Sequence, residues 1–477
     1  ILYLLFFSSA FSISLFFYSV IQMLSRNLVL SLCILIVTYV TTNTLAMQFV
    51  HPGIGFTLED LEWTKANLNQ EPIRTAYQNL LQNWLSNLNR NMSGPYVEVS
   101  RNPNINLLQY RSDMASIYQL TLVGYFEDDM RYINKAKENL YSYATTQTVW
   151  GGVEPAFAIG DYRLIAAADL LKSYSTQEEI DIVKDYFRNV YWPHTSFTDA
   201  HLNSSLLWCG SQGAYQISSA MALAIYLDDD VYFHRAINGL LTDPQGGLAQ
   251  PYDTGQYADM GRDQGHSRDQ YEVLTWAAEM AWSQGIDIYY YRDNLLLKMS
   301  EFYWRYNSGL EPSSWYLSGC GGSIWSVPAV AARGTQISES EGIYQTIHHY
   351  RDRLGMDTSA MTFTLSAEAN TTLSYHWLMA YKNPNQTAHR HYRPSNIWQE
   401  PATTLISNYT SPFATNTSEE YFHPALQCCS TMNASGNQFN ATMMGPHSSP
   451  TLFHSAFMYY PIWNDFTFTA KLTDMDI

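Results

Sequence analysis

Asp269-Gln270-Tyr271-Glu272-Val273-Leu274-Thr275-Trp276-Ala277-Ala278-Glu279-Met280-Ala281-Trp282-Ser283 places Val273, Leu274, Ala277, Ala278, Ala281 and Trp282 on one stripe of a helix. The same spacing recurs outward in both directions. Towards the N-terminus it appears in windows 58–68, 73–88, 113–123, 129–144, 161–171, 177–190, 212–227 and 231–241. Towards the C-terminus it appears in 287–306 and 341–354. Thr57 with Asp60, and Thr176 with Glu179, have the spacing of capping boxes that open two of these helices. Gly/Pro-rich breaks such as Gly94-Pro95, Gly151-Gly152 and Pro244-Gln245-Gly246-Gly247 separate the windows. No strand alternates with them, and no fixed-period repeat is evident. The pattern predicts an all-α fold, a toroid or incomplete barrel of helical hairpins. After about residue 361 the periodicity fades and Pro, Thr, Ser and Asn rise. Two readings stand there, a small β-rich appendage and irregular packing on the helical body.

Composition narrows the partners. The 477 residues carry 26 Lys+Arg against 43 Asp+Glu, a formal net charge of −17, and only 14% of residues are charged. Soluble domains average about 25% charged residues, so Tyr, Asn, Ser and Thr cover much of this surface. Such acidity argues against a nucleic-acid partner, which needs a clustered basic face, and against an anionic membrane surface.

The first residues read as a targeting segment. Met23, the single cation Arg26, the apolar run 28–40 and the small-x-small site Thr44-Leu45-Ala46 have the order of a secretory signal. Residues 1–22 are then an upstream extension, 23–46 the signal peptide, 47–360 the helical toroid domain and 361–477 C-terminal helices plus an irregular or extended, glycosylated tail. The competing reading takes the apolar run 1–21 as a membrane anchor. Sequons at Asn91, Asn203, Asn370, Asn385, Asn408, Asn416, Asn433 and Asn440 agree with export. So does the even set Cys209, Cys320, Cys428 and Cys429 left after the signal, enough for two disulfides. The expectation is a secreted monomer with no membrane span once processed.

No phosphate loop, nucleophile elbow, dinucleotide fingerprint or zinc spacing is present. The densest chemistry lies in Tyr252-Asp253-Thr254-Gly255-Gln256-Tyr257-Ala258-Asp259-Met260-Gly261-Arg262-Asp263-Gln264-Gly265-His266-Ser267, read as a Gly-punctuated loop ahead of the 269–283 helix. Read without further context it is either a functional loop or a polar loop with a satisfied histidine and an Arg–Asp pair. The basic run His389-Arg390-His391-Tyr392-Arg393 is either a contact for an anionic sugar or a solvated loop.

Gly261-Arg262-Asp263-Gln264-Gly265-His266, followed by Ala278-Glu279-Met280-Ala281-Trp282-Ser283-Gln284-Gly285-Ile286-Asp287-Ile288-Tyr289, closely resembles the alginate lyase superfamily. The resemblance is nearest to polysaccharide lyase family thirty-eight and more distant to family five. His51-Pro52-Gly53-Ile54 and Tyr215-Gln216-Ile217 leading to Leu227-Asp228-Asp229 resemble it too. The likeness runs from about His51 to Met356, specific in 252–289 and loose elsewhere. It implies an (α/α) toroid that cleaves an anionic polyuronate (alginate, mannuronan or glucuronan) by β-elimination, with neither a required cofactor nor a metal.

Elimination explains the residue types. Removing the C5 proton of a uronate requires its carboxylate to be stabilised by an amide, His or Arg. A base takes the proton, and an acid protonates the leaving O4. By the resemblance, His266 is the carboxylate neutraliser or base, Arg262 and Gln264 line its loop, Arg333 activates a tyrosine, and Tyr344 is the base/acid. Tyr350 is the rival tyrosine, next to His349, and Tyr257 lies in the loop itself. The family's Asn-Trp pair is replaced by Ser211-Gln212 within Trp208-Cys209-Gly210-Ser211-Gln212-Gly213. The amide then comes from Gln212, or from Asn203, whose sequon is incompatible with a place in a cleft. Two alternatives stay open: a glycoside hydrolase using Asp259 and Asp269, and an inactive carbohydrate-binding protein on the same scaffold. A polyanionic substrate for an acidic protein also demands a local basic cleft, for which Arg262, His266 and Arg333 are the candidates.

Overall fold

A computed structural model describes residues 47–151, 161–194, 209–243, 245–261, 264–308, 310, 318–320, 323–325, 341–368, 375–385, 390–391, 430–435 and 438–443. The helices are α1 Leu58–Ala66, α2 Ile73–Gln82, α3 Leu107–Phe126, α4 Met130–Thr146, α5 Arg163–Leu171 and α6 Gln177–Tyr186. They continue as α7 Ser211–Leu227, α8 Asp230–Thr242, α9 Gln264–Ser283, α10 Tyr291–Asn307, α11 Glu341–Ile347, α12 Thr362–Glu368 and α13 Tyr375–Ala380. Both capping boxes are formed, Thr57 with Asp60 and Thr176 with Glu179.

Helix contacts close into a ring. α3 packs on α5, α5 on α7, α7 on α9, α9 on α11, α11 on α13, α13 on α2 and α2 back on α3. A second layer lies outside, with α4 on α3, α6 on α4, α8 on α7, α10 on α9, and α12 on α10 and α11. The fold is therefore an all-α toroid of two layers.

Burial follows the layers. Every residue of α5 from Leu164 to Leu171, of α7 from Gln216 to Leu227 and of α9 from Gln270 to Ser283 is buried. The outer helices bury one stripe each, Ile133, Ala136, Leu140 and Tyr143 in α4 and Phe233, Ala236, Ile237, Leu240 and Leu241 in α8. The one-sided stripe read for 269–283 is thus corrected. Glu272, Thr275, Glu279 and Ser283, on the supposed polar side, are also buried, because α9 is covered by neighbours all round.

Three helices of the inner layer, α5, α7 and α9, run in one direction, which segment 49–56 reveals by gathering their carboxyl ends. His51 Nδ1 lies 2.7 Å from Asp169 Oδ1 near the end of α5, and His51 Nε2 lies 2.8 Å from Asp228 Oδ1 at the end of α7. Gly53 N donates to Asp169 Oδ2 at 2.9 Å, and Gln284, just past α9, bonds Val50 N at 2.9 Å and Gly53 O at 3.0 Å. A cationic His51 there also complements the negative ends of these helices. Ile54 and Phe56 are fully buried, and Gly55, at φ +79°, lies so close to Tyr162 that a Cβ would stand 2.9 Å from its ring. The segment closes one end of the ring.

Burial works to lower the pKa of His51, but the hydrogen bond and charge of Asp169, with Asp228, outweigh it and raise it. A raised histidine contributes stability fully below its unfolded pKa of about 6.5, and loses that contribution as pH rises through the higher folded value. We expect His51→Gln to flatten this alkaline fall in a thermal-unfolding series against pH. An unchanged fall would remove His51 as its source.

The same end holds a buried charge cluster. Glu279 of α9 accepts from Arg353 Nη1 at 2.8 Å, Lys382 Nζ at 2.7 Å and Tyr289 OH at 2.6 Å, and Lys382 also donates to Gly55 O. Burial would raise the Glu279 carboxyl, but Arg353 and Lys382 hold it well below the usual carboxylate range.

Other departures from the sequence reading are local. α9 begins at Gln264, so Gln264, Gly265, His266 and Ser267 form its first turn and not a loop. Ser267 Oγ donates to Asp259 O at 2.5 Å, which ties this turn to the preceding chain. Window 287–306 begins as a helix only at Tyr291, and Arg292, Asp293 and Asn294 take positive φ of 48°, 54° and 61°. Arg292 anchors that turn by donating to Leu248 O at 2.8 Å and pairing with Asp253 at 2.6 Å. Short π-helical turns end two windows, at Phe187–Tyr191 and His348–Arg353. In the tail, Ser430–Ser435 and Gln438–Met443 pair as an antiparallel hairpin, with sequon residues Asn433 and Asn440 in register. Among the described residues, no helix is long and apolar enough to cross a membrane.

Candidate active site

With the carboxyl ends of α5, α7 and α9 gathered at the closed end, their amino ends lie on the other side, called the mouth. α5 begins level with Trp276, twelve residues into α9, and the starts of α5 and α7 already hold the carboxylates of Asp161 and Asp259.

Each helix presents side chains to the mouth. α7 contributes Gln212 and Tyr215, three apart and therefore on one face, both partly exposed. α9 contributes Arg268, Asp269, Glu272 and Trp276 along one side. Arg163 opens α5, with its guanidinium 6.0 Å from the Trp276 ring and 2.6 Å from Asp161. Trp276 is flanked by the rings of Tyr162 at 5.2 Å and Tyr215 at 6.2 Å. Arg268 pairs with Asp269 at 2.9 Å and, more loosely, with Glu272 at 3.4 Å.

Two carboxylates lie at the base of the mouth. Glu272 Oε1 accepts from Glu341 N at 2.5 Å and Gly342 N at 3.3 Å, so it caps α11 from outside that helix. Gly342 is required by this crossing, because a Cβ there would stand 2.9 Å from Glu272 Cα. The Glu341 side chain accepts from Tyr162 OH at 2.8 Å. Burial pushes Glu272 up to about 7; Arg268 opposes the shift, and Glu341 and Asp269 add to it. Near neutral pH Glu272 therefore exists in both protonation states, as an acid/base group requires. Burial, followed by Asp269 and Glu272, raises the Tyr215 phenol and keeps it protonated. Such a phenol still carries the proton that a strongly basic leaving oxygen can take.

The residues singled out from sequence fall in three places. Gln212 and His266 lie at the mouth, in the first turns of α7 and α9. Tyr344 is 1% exposed in α11, with its ring 6.0 Å from Trp377. Arg333, Arg262, Asn203 and Trp208 lie outside the described residues.

Gln264, Tyr257, Tyr350 and His349, read as substrate-binding, lie in buried surroundings. Gln264 is buried and accepts from Asn307 Nδ2 at 3.2 Å. Tyr257 is fully buried among Asp259, Tyr271 and Tyr303. Tyr350 is buried at the closed end, donating to Tyr289 O at 2.8 Å, and His349 stacks on Tyr289 at 3.8 Å. Of the basic run, Arg390–His391 are described, and their backbone pairs with Ile286–Asp287 just past the end of α9. For the hydrolase alternative, Asp259 is 1% exposed and accepts from Ser211 N at 2.7 Å, which makes it a cap for α7 and not a free carboxylate facing Asp269.

Sequence reasoning did not single out Tyr215, Arg268, Glu272 or Glu341 as site residues. Glu272 lies off the apolar stripe of its helix, where the spacing reads it as part of a solvated face, so no local signal marked it.

No family model matches the chain, and no curated protein matches it. Among solved structures it is similar to an alginate lyase from Bacteroides ovatus, at 15% identity over 69% of this chain and 99% of that one, with a TM-score of 0.49. It is also similar to alginate lyase A1-III from Sphingomonas species A1, at 13% identity over 72% and 99% of the two chains, with a TM-score of 0.47. A form of A1-III complexed with tetrasaccharide gives 13% identity over the same shares and a TM-score of 0.46. The ring and its mouth rest on this chain's own helix contacts.

Proposed function

We propose that the protein is a polysaccharide lyase that cleaves a uronate polysaccharide by β-elimination. The observation that carries this reading is the mouth itself. An amide (Gln212), a protonated phenol (Tyr215) and a guanidinium (Arg268) lie on the adjacent inner helices α7 and α9, partly exposed. The resemblance of segment 252–289 to alginate lyases supports the same reaction.

In this scheme Arg268 and Gln212 take the uronate carboxylate and stabilise the charge that builds on it. His266 takes the C5 proton. The C5–H electron pair becomes the C4–C5 double bond, the C4–O4 bond breaks, and Tyr215 delivers its proton to O4. Tyr215 rather than Tyr344 receives the acid role because it reaches the mouth.

The purified protein, given mannuronan or glucuronan, should release a product with the ultraviolet absorbance of an unsaturated uronate. New reducing ends without that absorbance would indicate a hydrolase, and binding without either would indicate a sugar-binding protein. Export is part of the proposal. Cys209 is disulfide-bonded, and the sequon residues Asn91 and Asn385 are exposed, as suits an oxidising, glycosylating route. N-terminal sequencing of protein recovered from the medium should begin close to Met47, and an intact Ile1 would overturn that.

A further inference from the structure

We infer that Arg268 and Glu272 form a proton-gated carboxylate site, in which a uronate carboxylate draws Arg268 away from Glu272 only as Glu272 takes up a proton. This rests on the polyuronate reading and adds to it a regulation of the same site.

The geometry sets up the exchange. Arg268 holds Asp269 at 2.9 Å but Glu272 at only 3.4 Å, so the second contact is the one a ligand can displace. The Arg268 side chain is 26% exposed and accessible to a ligand, whereas that of Glu272 is 7% exposed and has little water to replace it. Among the described residues, the charged groups that act on Glu272 include one cation, Arg268, while Arg163 acts on the neighbouring Glu341. On its own helix are Arg268 and Asp269, and on α11 is Glu341, already accepting from Tyr162. On α7 is Tyr215 and on α10 is Tyr303, both neutral phenols. Losing Arg268 to an incoming carboxylate would leave Glu272 as a buried anion beside Glu341, held only by two backbone amides. Burying an uncompensated charge is unfavourable, and protonation is the cheaper outcome. An ionised Glu272, conversely, keeps Arg268 and weakens the site.

The test is the affinity for mannuronate monosaccharide, which has no glycosidic bond to cleave, measured by calorimetry from mildly acidic to mildly alkaline pH. Wild type should bind with constant affinity below about pH 7. Above that, affinity should fall by about tenfold per pH unit. Glu272→Gln should bind with one affinity throughout, near the acidic wild-type value. Glu341→Gln removes the neighbouring charge and should move the break to lower pH, which keeps the test decisive if Glu272→Gln does not fold. A flat wild-type profile, or a break unmoved in Glu341→Gln, overturns the gating and leaves the polyuronate reading in place. A proton-linked profile in a protein that performs no elimination overturns the lyase reading and leaves the gating. Absence of uronate binding at every pH overturns both.

Discussion

Tyr215→Phe should lower the rate of elimination by roughly 10²–10⁴-fold, the usual worth of a positioned proton donor, while affinity for mannuronate changes little. The ring keeps its place 6.2 Å from Trp276, so the variant loses a hydroxyl and little packing. Only O4 of the leaving sugar uses that proton, so the loss should fall on kcat and not on KM. Tyr344→Phe is the natural comparison. Its side chain is 1% exposed against Trp377, and removing its hydroxyl should leave turnover within a few-fold of wild type. The reverse result, near-normal turnover in Tyr215→Phe and collapse in Tyr344→Phe, would return the acid role to the tyrosine chosen from sequence.

Glu279→Gln should destabilise the fold by about 3–5 kcal/mol, the cost of removing one partner from a buried ion cluster. Gln keeps the shape but not the charge. It leaves Arg353, 1% exposed, and Lys382, fully buried, facing a neutral amide. Urea unfolding should show a lower midpoint with an unchanged slope. Lys382→Met should cost less, because the two contacts from Arg353 to Glu279, at 2.8 and 3.2 Å, survive. A Glu279→Gln protein as stable as wild type would mean that water reaches the cluster. Because the cluster lies at the closed end, elimination by the folded fraction should be unaffected, which separates this effect from that of Tyr215.

These two residues illustrate what could be read along the chain. Glu279 and Glu272 both stand inside the 269–283 helix, where spacing assigned them to a polar face. One became a structural counter-ion for Arg353 and Lys382, and the other a carboxyl held near neutrality beside Glu341. Their partners are distant in sequence, and no local pattern reports them. His51-Pro52-Gly53-Ile54 was recognised only by resemblance; its reason is the Asp169, Asp228 and Gln284 groups that it ties together. His349 and Tyr350 looked chemical because they are His and Tyr on a helix, yet their environment is the interior of the closed end.

The sequence by itself determined the helices as far as about residue 354, their order and two of their caps, because 3.6-residue periodicity and capping are short-range properties encoded within a few neighbours. The positions of α12 and α13, too short for a clear period, were not legible in it. It also set the acidic balance that made a local cationic site necessary. Tertiary structure alone decided which helices form the inner ring, since a buried all-round helix and an exposed amphipathic one differ only in what packs against them. It also decided which end of the ring is open, and therefore which of the many Tyr, Glu and Arg side chains meet there. Direction and neighbourhood arise from contacts between residues more than a hundred apart in the chain, such as His51 with Asp169 and Tyr162 with Glu341.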